Sequence, residues 1–241
     1  MVGSGKKQAG RGGELSALRR VRYLIDIIVL AAATVAVERG FGAVYVATSP
    51  PSGVVFDFLV KLPAVIFAWL LIRLRRETLA DVGLKRPGSW WRAFLIGLVI
   101  AIIVFSAAYI SEKIGLRRDL SQFRAVQGNL ELTLYEVAYA FIGAGFYEEF
   151  MFRGFLLQGL AMFLGASRGA WVVACILQGL LFGLAHAYQN PLGIAFTGAV
   201  GMLMGFLFLS SGRNLWPLII GHGLYDASRF VLFYFKGPPL G

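Results

Sequence analysis

Seven stretches of the chain stay apolar long enough to cross a hydrocarbon layer as helices: residues 21–38, 54–72, 93–111, 134–163, 169–188, 192–210 and 214–235. A bilayer core of about 30 Å needs roughly 20 helical residues. In lipid each backbone amide must be satisfied within its own segment, so helices are the element to expect. The fourth run is too long for one perpendicular crossing; it reads as a tilted helix, or as an amphipathic lead followed by a span. The predicted fold is thus an all-α, polytopic transmembrane helix bundle of about seven spans, with eight helices if the fourth run divides. Gly193, Thr197, Gly201 and Gly205 fall four apart along the sixth run, and Gly179 and Gly183 do so in the fifth. Small residues on one face let helices pack closely in lipid, and these glycines are expected to pack and nothing more.

Composition agrees with a membrane domain. Hydrophobic residues make up 58% of the chain and charged ones 15%, where a soluble domain carries about 25% charged. Little is left once the apolar runs are removed. The organisation to expect is a basic, disordered cytoplasmic tail over 1–20, one membrane-embedded domain over 21–236 and a short tail over 237–241.

The net charge of +10 does not form a face for nucleic acid. Lys6, Lys7, Arg11, Arg19, Arg20 and Arg22 precede the first run, and Arg73, Arg75, Arg76, Lys85, Arg86 and Arg92 fill the link after the second. Basic residues so placed mark cytoplasmic loops. The N-terminus and the 73–92 link are therefore expected inside the cell and 112–131 outside, in an integral protein of a prokaryotic plasma membrane. No cleavable signal peptide is evident. Cys175 is the single cysteine, in an apolar run without a nearby base, so neither a disulfide nor a thiolate metal cluster is expected.

Chemistry concentrates in three runs. The chain has two histidines, His186 and His222, both in apolar, glycine-rich stretches. Another run carries Glu148, Glu149 and Arg153. Ionisable groups at membrane depth are costly and mark functional sites. Glu149 and Arg153 are four apart and can pair along one helix face, whereas Glu148 is rotated by about 100° and free to point elsewhere. Phe182 shares a face with His186, and Asp226 with His222; Gly221 and Gly223 clear room around His222 for a substrate or another helix. The three clusters can meet only if the helix of the fourth run continues through Arg153. Ser106, Ser210 and Ser211 have no neighbouring base in sequence.

Glu-Glu-Phe-Met-Phe-Arg-Gly at 148–154, Phe-Gly-Leu-Ala-His at 182–186 and His-Gly-Leu-Tyr-Asp at 222–226 resemble, in order and spacing, the signature motifs of the CPBP family. That is the CAAX-protease and bacteriocin-processing group of intramembrane endopeptidases, which includes the Ras-converting enzyme. Asp-Val-Gly-Leu at 81–84 looks like the same family. The resemblance covers about residues 54–235. It implies an endopeptidase acting on a membrane-associated protein or peptide. Glu148 and His186 would activate water, His222 and Asp226 would stabilise the oxyanion, and Glu149, Arg153 and Phe182 would support them. Many members have asparagine where this chain has Asp226, which would need to be protonated, to orient His222 or to bind a metal.

No cofactor is expected on this scheme. A zinc mechanism with Glu148, His186 and His222 as ligands is the alternative, although the usual His-Glu-x-x-His helix is absent. Two rivals of other classes remain: a proton-coupled transporter using the same groups as a relay, and a silent scaffold or immunity protein on the same bundle. Neither the substrate nor the oligomeric state is legible.

Overall fold

The computed structural model describes the backbone of residues 5–48 and 53–240 and the side chains of 17–40 and 61–240. All regular structure among the described residues is helical. The α-helices are α1 (Gly5–Thr48), α2 (Gly53–Leu74), α3 (Trp90–Lys113), α4 (Leu130–Tyr139), α5 (Gln158–Phe163), α6 (Arg168–Ala185), α7 (Asn190–Ser210) and α8 (Trp216–Lys236). α4 and α5 are the ends of one rod, joined through two π-helical stretches, Ala140–Phe146 and Glu149–Leu157. The rod therefore does continue through Arg153. α1 begins within the 1–20 stretch whose composition predicts a disordered tail.

Three helices are long and apolar enough to cross a membrane by length and composition: Trp90–Lys113, Arg168–Ala185 and Ala187–Ser210. The expected seven are not matched among the described residues. Run 134–163 is divided by its π-helical stretches, and α8 carries His222, Asp226 and Arg229, so neither is a plain apolar span. The fifth run also ends early: α6 stops at Ala185, His186 occupies its C-cap, and Asn190 takes a positive φ of 72° before Pro191 opens α7. The outward faces of the long helices are oily. α3 exposes Leu95, Leu98, Val99, Ile102 and Ile103, and α6 exposes Val172, Val173, Ile176, Leu180 and Leu181. Contiguous apolar faces of this kind suit contact with lipid.

Local signals set the helix ends. The side chains of Ser89, Asn129 and Ser167 accept hydrogen bonds from the amides of Arg92, Leu132 and Ala170, satisfying donors that the first turns of α3, α4 and α6 would leave open. Proline in the first turn of α7 and α8 sacrifices no helical bond. In the link after α2, Asp81 accepts from both the amide and the hydroxyl of Thr78, which holds its carboxyl below the ordinary range.

α6 packs along α7, α3 along α8, and α8 against the first π-helical stretch. Glycines allow these approaches. A Cβ at Gly183 would lie 2.5 Å from the Ile194 carbonyl oxygen, and one at Gly179 would lie 2.8 Å from the Met202 amide nitrogen. Gly221 packs on Gly97 and Ile100 of α3, and Gly223 against the Phe141 ring, so helices fill the room that these glycines clear. Backbone cannot rotate away. Gly183→Ala is accordingly expected to lower the thermal midpoint of the detergent-solubilised protein. Overpacking of about 1–3 kcal/mol outweighs the gain of at most about 1 kcal/mol in helix propensity.

The main core gathers Ile72, Phe150, Phe155, Leu157, Phe208, Leu215 and Leu218 around the second π-helical stretch. A smaller cluster of Leu120, Val126, Phe230 and Phe233 lies under a 3-10 turn, Ser121–Val126. Beside the main core, Arg75 pairs with Asp26 at 3.1 Å and with Glu77 at 3.0 Å, tying α1 to the end of α2; Tyr23 also bonds Glu77.

Candidate active site

The rod of α4 and α5 changes winding at the residues that carry charge. Tyr147 and Glu148 sit between its two π-helical stretches, and Glu149 opens the second. Wider turns re-aim side chains relative to an ordinary helix and occur mostly at functional positions. Gly145 lets this point touch α8: a Cβ there would stand 2.8 Å from the Ile219 carbonyl oxygen. The two carboxylates are thereby carried against His222.

Glu149 and Arg153 are fully buried. Arg153 Nη1 donates to Glu149 Oε1 at 3.0 Å, and Arg153 Nη2 donates to the Gly201 carbonyl of α7 at 3.2 Å. Gln178 of α6 donates to the same carbonyl at 2.7 Å, so α6, α7 and the rod share one polar junction. The Arg153 guanidinium also lies 4.6 Å from the centre of the Phe182 ring. That ring packs 4.6 Å from the His186 imidazole and 6.4 Å from that of His222.

Each histidine has one nitrogen committed. His222 Nδ1 lies 2.8 Å from Glu149 Oε1, the same oxygen that receives Arg153. A carboxylate so placed accepts, so Nδ1 carries a proton, and Nε2 is turned toward two further carboxylate oxygens, Asp226 Oδ2 at 3.4 Å and Glu148 Oε2 at 3.9 Å. His186 Nδ1 lies 2.8 Å from the Phe182 carbonyl, which can only accept. In the neutral ring this leaves the lone pair on His186 Nε2. Both glutamates leave a buried Oε2 without a hydrogen bond. They differ in that Glu149 is held through Oε1 by Arg153 and His222, whereas the nearest cation to Glu148 is His222 Nε2 at 3.9 Å.

A cavity of about 620 Å³ is lined by Glu148, Glu149, Arg153, Phe182, His186, His222 and Asp226 together. Its wall also includes residues that spacing does not reveal. Lys61 of α2 bonds Tyr139 and donates to the Gly143 carbonyl at 3.0 Å, beneath the first π-helical stretch. Arg118 enters from the segment after α3. Among the described residues no three His, Cys, Asp or Glu side chains are grouped as metal ligands would be.

Residues 130–228 match the family of type II CAAX prenyl endopeptidases described as Rce1-like. The similarity covers this segment and not the rest of the chain. The matched family implies a CAAX-type endopeptidase, a protease with a protein or peptide substrate, and the three long apolar helices suit an integral membrane protein. No curated protein and no solved structure matches the chain. All seven motif side chains lie inside the matched segment, whereas Lys61 and Arg118 reach the cavity from outside it.

Proposed function

We propose that the chain is an intramembrane endopeptidase in which Glu148 and His186 activate water against a peptide bond of a membrane-associated substrate. The bundle as a whole, with its seven apolar runs, sits in the bilayer. The observation that carries this reading is the unequal treatment of two adjacent glutamates. Glu149 is held through Oε1 by Arg153 and His222, while Glu148 lines the same cavity with its Oε2 unbonded, 3.9 Å from His222 Nε2. A structural ion pair accounts for the first and not for the second.

In this scheme Glu148 takes a proton from a water that also donates to His186 Nε2. The water oxygen attacks the scissile carbonyl carbon, and the carbonyl oxygen takes up the negative charge. His222, acting as an imidazolium between the Glu149 and Asp226 carboxylates, offers Nε2–H to that oxygen; a donor already aimed at developing charge is the strongest kind of help a site can give. Asp226 holds the Nε2 proton in place. Collapse breaks the carbon–nitrogen bond, and the amine leaves with the proton held by Glu148. One new carboxylate and one new amine result. The name of the matched family makes a prenyl-cysteine peptide the first substrate to try.

Chelation separates this scheme from its zinc alternative. Cleavage by the purified protein is expected to survive dialysis against EDTA, and Asp226→Asn is expected to keep activity within about tenfold, since an amide can still orient the imidazole. Loss of cleavage in both experiments, with recovery on adding zinc to the dialysed wild type, would replace the scheme with a metal site. Zinc ligands must be deprotonated, and an amide oxygen is a poor substitute for a carboxylate.

A further inference from the structure

Arg118 is 5% exposed, yet it lines the cavity that holds Glu148, His186 and His222. The other buried guanidinium groups of the bundle face carboxylates: Arg153 faces Glu149, Arg229 faces Glu112 at 2.5 Å, and Arg75 faces Asp26. Arg118 forms no ion pair among the described residues. Its contacts are the Tyr225 hydroxyl, 3.0 Å from Nη2, and the Phe196 ring, 4.3 Å from the guanidinium carbon; its buried Nε has no partner. A cation taken from water without an anion is costly, and guanidinium is shaped to receive a carboxylate through two parallel bonds.

Position narrows the anion. Tyr225 is three residues beyond His222 on α8, so Arg118 is held about one helical turn past the imidazole. The segment carrying Arg118 walls that end of the cavity. The Asp119 amide donates to the Gln189 carbonyl, that of Leu120 to Pro239 and that of Gly128 to Tyr234, while Phe123 packs on Phe230 and Phe233. An extended peptide passing His222 in this direction meets a wall a short way on. We infer that Arg118 is the residue that receives the C-terminal carboxylate of the peptide substrate. The inference rests on the endopeptidase reading and deepens it.

The test uses full-length Glu148→Gln protein in non-ionic micelles, so that binding is read without turnover. The probe is a dye-labelled prenyl-cysteine peptide made as the free acid and as the C-terminal amide, followed by fluorescence anisotropy. The acid is expected to bind roughly 10- to 100-fold tighter than the amide, the range for a charge-assisted pair. Adding Arg118→Met should bring that ratio to about 1, Arg118→Lys should restore part of it, and Tyr225→Phe should lower it less. A merely structural arginine would weaken both forms together.

Equal binding of acid and amide, an unchanged ratio in Arg118→Met, or no binding of either form overturns the assignment. Retention of labelled anionic phospholipid through Arg118, with the acid showing no advantage, assigns the cation to a lipid phosphate and overturns it as well. The protein with Glu148 intact separates the two readings. Cleavage without acid preference removes the carboxylate seat alone, whereas acid-selective binding with no cleavage upholds the seat and sinks the hydrolase.

Discussion

Glu148→Gln is expected to cut the rate of peptide cleavage on the order of 100- to 10,000-fold while leaving the folded protein intact, because general-base catalysis contributes about that factor. An amide is the same size as the carboxylic acid and cannot take a proton from water. Glu148 Oε2 makes no hydrogen bond, so the exchange removes none through that oxygen. The effect should fall on kcat, with KM moving little, since the carboxylate acts in the transition state more than in binding. Rates by mass spectrometry and thermal midpoints in the same detergent check both halves. A variant that cleaves at the wild-type rate would remove Glu148 from the chemistry.

The second large effect is on stability. Glu149→Gln should destabilise the bundle by roughly 3–5 kcal/mol, the range for breaking a buried ion pair from one side. Arg153 is fully buried, and Glu149 supplies the charge that compensates it. The same substitution loosens His222, whose Nδ1 is held by Glu149, so activity should fall too. Removing both charges in Glu149→Gln/Arg153→Met should destabilise less than Glu149→Gln alone, because no uncompensated cation is left. Equal thermal midpoints and equal residual activities for Glu148→Gln and Glu149→Gln would contradict the division of labour between them.

Much of this arrangement is legible in the chain because helical spacing is short-range. Residues four apart share a face, which joins Glu149 to Arg153, Phe182 to His186 and His222 to Asp226 before any tertiary contact is known. The small residues of the fifth and sixth runs likewise announce the close packing of α6 on α7. The winding of the rod between α4 and α5 is not legible: π-helical turns have no simple sequence signature, and a constant rotation per residue passes over them.

Other features had signals that hydropathy hides. Asn190-Pro191 signals a break before α7, yet the apolar run continues past the end of α6 at Ala185 to residue 188. A helix falls short of the length and composition expected of a span where its apolar run carries the site's own charges, as in α8. Asp26 within the first run is matched by Arg75 from the end of the second, a pairing that only the fold reveals. Lys61 and Arg118 join the cavity across 78 positions to Tyr139 and 107 positions to Tyr225, and no local pattern records such contacts. The link from His222 to Glu149 is of the same kind, at 73 positions.

The central claim is that this site hydrolyses a peptide bond with a water activated beside Glu148. A single turnover in water labelled with heavy oxygen, using excess purified protein in liposomes and a defined prenyl-cysteine peptide, tests it most directly. Mass spectrometry of the fragments should show one heavy oxygen in the new carboxylate formed in that first turnover, and no product in the same time with Glu148→Gln. An unlabelled new carboxylate would mean that a protein oxygen attacked first, and the absence of any fragment from the wild-type protein would mean that the site is not a protease.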